Sequence, residues 1–305
     1  MTQTPSNALV LTSPPGASCL GQAALTALRS ELKDHTVIEE AWLSDGEALE
    51  MLFATAGATD LGLLRAQLAG AIGAQCIDVN IIPGGNASRH KRLLVADMEA
   101  TIIEQECLDE LASFVGLRDR VAAITKRAMR GELDFESALK ERVALLQDLG
   151  SDVLEAVYCR VSLMPGAATL IATMRKHGAT CALVSGGFTF FAARVAARLG
   201  FDTYQANVLE MAGDRVAGTV AVPILGREAK QAMLERLSRE MGLSGSETLA
   251  VGDGANDLGM IKAAGLGVAF RAKPIVTAEA PASIVHGDLT ALLYLQGYRR
   301  DEFVS

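Results

Sequence analysis

Between Pro165 and Phe270 the chain alternates short apolar runs with stretches of helical spacing. A helix over 167–177 leads to a strand over 180–184. A helix over 189–199 follows, then a helix over 229–241 leads to a strand over 248–251, and a helix over 258–264 to a strand over 266–270. This alternation restricts the fold more than any other feature. Parallel strands need a long crossover, a helix supplies it, and the resulting sheet is covered on both faces. An apolar run over 93–96, ending in Asp97, adds one more strand. From 104 to about 160 the sequence is nearly all helical and lacks proline, with Gly116, Gly131 and Gly150 dividing it into about four helices. It reads as an insertion after the first strand of the sheet. Two short strands around Ala212-Gly213-Asp214 read as a hairpin.

Residues 1–85 follow another pattern. Strand 8–12, helix 19–32, strands 36–43 and 48–54 joined by Ser44-Asp45-Gly46, helix 59–72 and strand 76–82 give the order βαββαβ. That order suits a ferredoxin-like sandwich, four strands with two helices on one face. Pro83-Gly84-Gly85-Asn86 breaks the pattern and 88–92 is polar and basic, so the boundary falls there. The expected architecture is therefore a small α+β domain over 1–85 and an α/β domain over 92–305 that carries a helical insertion at about 104–160. A chain of 305 residues accommodates two domains at ~100–200 residues each.

With 28 Lys+Arg against 36 Asp+Glu, the net charge is −8. An acid excess argues against a broad nucleic-acid or membrane-surface face. No apolar run reaches the ~18 residues of a membrane span. The N-terminus lacks Lys or Arg before Arg29 and makes a poor signal peptide. The five cysteines (Cys19, Cys76, Cys107, Cys159, Cys181) form no CxxC pair and read as buried thiols in a reducing compartment. The four histidines are scattered, so zinc has no obvious ligand set. The expectation is a soluble, cytoplasmic protein.

Polar groups collect where three of the strands end: Asp97, Ser185 and Asp253. Ligands of open α/β sheets bind at those carboxyl ends. Asp97-Met98-Glu99-Ala100-Thr101 offers a carboxylate able to attack phosphorus or hold a metal, and a second one two residues on for acid/base work. Taken alone, Asp97 fits equally well as the cap of the insertion's first helix. Gly252-Asp253-Gly254-Ala255-Asn256-Asp257 is sharper, because two carboxylates four apart suit a Mg²⁺ that keeps water ligands. Ser185-Gly186-Gly187 offers a hydroxyl and free N–H groups before a helix, a phosphate seat or a plain N-cap. Lys230 sits near a helix start, where the macrodipole disfavours a cation unless an anion is close.

Asp97-x-Glu99-x-Thr101, Ser185 at a strand end, Lys230 and the Gly252–Asp257 run together resemble the haloacid-dehalogenase superfamily of phosphatases. The segments 104–112, 124–129, 134–143 and 184–188 resemble the cap and core of its phosphoserine phosphatases, and the resemblance spans about 92–298. The front domain resembles the ACT-like domain of some members by element order only. The resemblance implies that Asp97 is the nucleophile and Glu99 the general acid/base. It implies a Mg²⁺ held at Asp97, Glu99 (through its backbone carbonyl), Asp253 and Asp257. Ser185, Gly186, Lys230 and Asn256 would bind the phosphoryl group and substrate. Glu106 and Arg142, in the cap, would read the ammonium and carboxylate of O-phospho-L-serine, with Met129 packing over the site. Isolated charged residues such as Glu106 and Arg142 are otherwise most often a solvated helix face. The implied activity is hydrolysis to serine, the last step of serine biosynthesis, on a small-molecule substrate. Homodimerisation or ligand regulation through 1–85 stays open. Two departures stand out: Glu99 and Ala100 replace the usual Asp and Ser. A phosphoserine–homoserine phosphotransferase also carries Asp-x-Glu, so transfer to another alcohol is the alternative, and a pseudo-enzyme that binds without turnover is a third.

Overall fold

The computed structural model describes residues 7–55, 58–84, 89–130 and 132–304. The expected boundary residues 85–88 and the break at Gly131 lie outside the described residues, and so does the side chain of Met129.

The front unit comprises β1 (Asn7–Thr12), α1 (Gln22–Glu31), β2 (Thr36–Ser44), β3 (Ala48–Ala54), α2 (Leu61–Ile72) and β4 (Asp78–Pro83). Its sheet has the order β2-β3-β1-β4, antiparallel throughout. Asp60 caps α2 by accepting the N–H groups of Gly62 and Leu63. Leu9, Leu11, Leu49 and Met51 on one sheet face pack against Leu28 of α1 and Leu68 of α2. Ala8, Val10 and Leu52 on the other face belong to the core of the rest of the molecule. This double burial explains why β1 is apolar at nearly every position rather than at alternate ones.

The second unit begins with β5 (Leu93–Ala96), followed by the insertion: α3 (Cys107–Phe114), α4 (Arg118–Met129), α5 (Phe135–Ala144) and α6 (Ser151–Tyr158). α3 ends two residues before Gly116, whereas α5 already ends at Ala144 and Gly150 precedes α6 as its N-cap residue. Then come α7 (Ala167–Lys176), β6 (Thr180–Phe188), α8 (Thr189–Leu199), β7 (Thr203–Asn207), the hairpin β8 (Leu209–Ala212) and β9 (Arg215–Val220), α9 (Arg227–Glu240), β10 (Thr248–Gly252), α10 (Leu258–Ala263), β11 (Leu266–Phe270), α11 (Pro274–Glu279), β12 (Ala282–Ile284) and α12 (Ala291–Leu295). The six-stranded sheet has the order β12-β11-β10-β5-β6-β7, all parallel. Met233 and Leu237 of α9 and Ile261 of α10 cover one face, while Leu170 of α7, Phe191 of α8 and Leu292 of α12 cover the other. The edge strands β7 and β12 and the short α11 and α12 carry too little periodicity to be read from sequence.

The insertion enters and leaves the core through a crossing pair. Glu104 N–H donates to Ser162 O at 3.0 Å and Met164 N–H to Ile102 O at 2.9 Å. The front unit is bound to the other side of the core. Asn80 of β4 acts toward β12 as a neighbouring strand would: its Nδ2 donates to Ser283 O at 2.9 Å and its Oδ1 accepts Ser283 N–H at 2.8 Å. Asp78 accepts the N–H groups of Val285 (2.8 Å), His286 (3.1 Å) and Gly287 (2.8 Å). Cys76 and Cys159 are exposed, contrary to the expectation of buried thiols, whereas Cys107 and Cys181 are buried.

Candidate active site

β10, β5 and β6 are adjacent in the sheet, so Asp253 and Asp97, just past the ends of β10 and β5, stand beside Ser185, which lies in the last half of β6. Asp97 extends the ladder, its N–H donating to Val251 O at 3.0 Å. Lys230, in the first turn of α9, is 2% exposed. Its Nζ lies 2.7 Å from Asp97 Oδ1 and 2.5 Å from Asp257 Oδ1. Asp257 is fixed in turn by Gly254 N–H, which donates to its Oδ2 at 2.9 Å. A cation at a helix start is unfavourable alone, and the two carboxylates supply the anion that the sequence called for. Burial lowers the Lys230 ammonium, but Asp97 and Asp257 outweigh it and raise it well above the usual lysine range.

Among the described residues, Asp97, Asp253 and Asp257 each bring a carboxylate oxygen within 4.8 Å of the others. Three carboxylates against one ammonium leave surplus negative charge in a buried place. Burial raises the Asp97 carboxyl, with Lys230 opposing and Asp257 and Asp253 adding. It also raises Asp253, again with Asp257 adding. A hard divalent cation with oxygen ligands fits such a set.

Above this group lies a cavity of about 450 Å³. Asp97, Glu99, Gly186, Lys230, Asp253 and Asn256 line its floor, and Glu106 and Arg142 line its roof from the insertion. Glu106 ends the loop before α3, and Arg142 lies in the last turn of α5 with its Nε donating to Ala138 O at 3.2 Å. Burial, then the neighbouring Glu99, Asp253 and Asp109, push the Glu106 carboxyl up to about 7. Glu99 is raised as well, chiefly by burial, although the Cys107 N–H donates to its Oε1 at 2.7 Å and opposes the shift.

Two readings of the sequence change. Asp97 does not cap the first inserted helix, because α3 starts only at Cys107 and Glu99 takes that place. (Asp257 stands in the site and makes no capping bond to α10, its carboxylate being spent on Lys230 and Gly254.) Ser185-Gly186-Gly187 lies within β6 rather than after it. It forms the irregularity between the Val184–Gln205 and Phe188–Asn207 pairs, with Gly187 N–H donating to Ser185 Oγ at 2.9 Å. A bulge of this kind re-aims a side chain and its N–H groups out of the ladder.

Sequence reading gave no role to several cavity residues, four of which bear on the site's chemistry. Asp109 is three residues after Glu106 and so on the same helix face, a signal that helical spacing contains. Phe135 places its ring over Gly186, 3.4 Å from where a Cβ would stand. Lys273 reaches the cavity from the turn after β11, and Thr125 from α4, neither with a local signal.

The haloacid dehalogenase-like hydrolase profile matches residues 94–262, more than half the chain, a span that holds Asp97, Ser185, Lys230, Asp253 and Asp257. The chain belongs to that family. A phosphoserine phosphatase of Streptococcus thermophilus is 45% identical to this hydrolase over 202 residues, 66% of this chain and 94% of the relative. One of Streptomyces coelicolor is 43% identical over 239 residues, 78% of this chain and 58% of the relative. The hydrolase thus spans about three fifths of the length of several curated relatives it matches, between 58% and 63%. The unliganded crystal structure of a probable phosphoserine phosphatase from Vibrio cholerae superposes with a TM-score of 0.78 at 30% identity, covering 99% of this chain and 90% of that one. No helix among the described residues is long and apolar enough to cross a membrane.

Proposed function

We propose that this hydrolase is a Mg²⁺-dependent phosphoserine phosphatase, acting in the cytoplasm at the last step of serine biosynthesis. The observation that carries this reading is the charge layout of one cavity. Its floor pairs a buried carboxylate with a buried ammonium, and its roof holds an acid, Glu106, opposite a base, Arg142. A floor of that kind suits a phosphoryl group, and a roof of that kind suits an amino acid's ammonium and carboxylate. The names of the relatives support the same substrate.

Asp97 attacks phosphorus in line, forming an aspartyl-phosphate as the P–O bond to serine breaks. Glu99 gives its proton to the departing serine oxygen, and its raised affinity for a proton favours that role. The resulting carboxylate then takes a proton from water, which attacks phosphorus and releases phosphate and free Asp97. Lys230, Ser185 and the Gly186 N–H hold the phosphoryl oxygens, and Asn256 orients substrate or water. Asp97, Asp253 and the Glu99 carbonyl would hold Mg²⁺, with Asp257 behind them; when bound it neutralises phosphate charge. The front unit is ACT-like in this reading, a place for ligand regulation or homodimerisation.

Glu99, in place of an aspartate, favours a second reading: phosphoryl transfer to another alcohol such as homoserine. Incubation with L-phosphoserine and Mg²⁺, with and without homoserine, separates the two. Phosphate release, abolished by EDTA and restored by Mg²⁺, is expected. Phosphohomoserine would favour transfer. If neither product forms while phosphoserine still raises the Tm, the catalytic reading fails.

A further inference from the structure

Glu99 belongs to the core, in the loop after β5, yet its carboxylate serves the inserted cap. Its Oε1 accepts the N–H of Cys107 at 2.7 Å, and Cys107 is the first residue of α3. The residue in the N-cap position, Glu106, makes no side-chain capping bond. A core side chain therefore does what a Ser or Asp normally does from within the helix's own chain. The position is electrostatically apt, because a helix start favours a carboxylate.

The other flank of the carboxylate is Gly187. A Cβ at Gly187 would stand 2.7 Å from Glu99 Oε2, and the three nearest atoms it would meet all belong to Glu99. The backbone at Gly187 is outside the left-handed region. Glycine is needed there for room, and the room is filled by Glu99. An aspartate, one methylene shorter, would reach less far toward α3. The departure at position 99 is thus matched by an open space on one side and a helix end on the other.

We infer that the Cys107 amide is a positioning group for Glu99, and that Glu99 is aligned for proton transfer only while the start of α3 is seated on the core. Cap seating and acid/base alignment are then one event. α3 also brings Glu106 and Asp109 to the cavity, so the element that reads the substrate's ammonium is the element that holds the proton donor. This rests on the phosphatase reading above.

Cys107→Pro tests it. Proline removes the N–H but suits the first helical position, and Glu106 already has φ −95° and ψ 103°, the extended backbone a residue before proline requires. Cys107→Ala keeps the N–H and removes the thiol, which also donates to the Glu99 carboxylate, so it measures the thiol's share apart from that of the amide. Cys107→Ala should stay within about threefold of wild-type kcat on phosphoserine, whereas Cys107→Pro should lose roughly 10–100-fold in kcat with little change in KM. An aryl phosphate with a good leaving group needs no proton at the first step, so its pre-steady-state burst should survive in Cys107→Pro. Wild-type kcat in Cys107→Pro, or equal loss of the phosphoserine reaction and the aryl burst, overturns the inference. Gly187→Ala decides the matter if the proline variant does not fold, because it crowds the same carboxylate from the opposite side. It should lower kcat on phosphoserine by about tenfold or more, and adding Glu99→Asp should recover part of that loss. Full activity in Gly187→Ala, or a double variant worse than the product of the singles, also overturns it. Failure of the phosphatase reading would show instead in the wild-type enzyme, as absence of phosphoserine turnover.

Discussion

A single ammonium organises the floor of the site. Lys230 contacts Asp97 and Asp257 at once, and all three are buried. In a low-dielectric place each partner makes the others tolerable, and removing one strands a charge. Glu106 is in a different position: it keeps contact with solvent through the cavity, but enclosure and three neighbouring acids push its carboxyl up to about 7. Only its ionised form accepts a substrate ammonium. The KM for phosphoserine should therefore rise as pH falls through about 7, and Glu106→Gln should raise KM and flatten that limb. A pH series of initial rates on both proteins checks this; an unchanged limb in the variant would assign the titration elsewhere. The residues at the three strand ends were legible in the sequence because strand ends are where open sheets bind ligands. The contacts of Glu99 were not, since they join positions 99, 107 and 187 from a loop, a helix start and a bulge.

At the scale of elements, the cap divides its work between two helices. Glu106 and Asp109 stand at the start of α3, and Phe135, Leu139 and Arg142 lie along one face of α5. Leu139 is buried at the cap core, which fixes the face that Arg142 shares with it. Arg142→Ala should therefore lower kcat/KM for phosphoserine by about 100-fold or more, as loss of a paired charge does, and alter hydrolysis of an aryl phosphate by less than about fivefold. Parallel assays on the two substrates measure the split, and equal losses would reject carboxylate recognition. That residues 104 to about 160 form a block of helices was readable from their helical spacing and lack of proline. The bulge in β6 was not, because Ser185-Gly186-Gly187 looks like a loop until the pairing of Phe188 with Asn207 shows that the strand resumes.

The two units share an apolar face, and beside it runs a polar seam that neither unit displays alone. Asp78 of the front unit ties down the 285–287 backbone, and two residues on, Leu289 N–H donates to Pro165 O at 3.1 Å, where the cap rejoins the core. Asp78→Ala would leave the N–H groups of Val285, His286 and Gly287 without this acceptor, the buried one of Gly287 with no water to replace it, at a cost of about 1–3 kcal/mol. The Tm should fall by roughly 5–10 °C, with Asp78→Asn falling less because it keeps one acceptor oxygen. An unchanged melting curve in the alanine variant would show the seam to be energetically idle. The βαββαβ order was legible from local periodicity, but its docking was not, because Asp78 and Asn80 read as ordinary polar positions in a strand. Asn80 has a further consequence. A free strand edge is a template on which other chains add, and Asn80 occupies both backbone groups of Ser283 on the terminal strand of the large sheet. The front unit is thus an end stop as well as a neighbour. Removing the front unit would bare that edge and the apolar Leu289 and Tyr294, which share a cluster with it, so the first property lost would be colloidal: the core without it would be prone to stack.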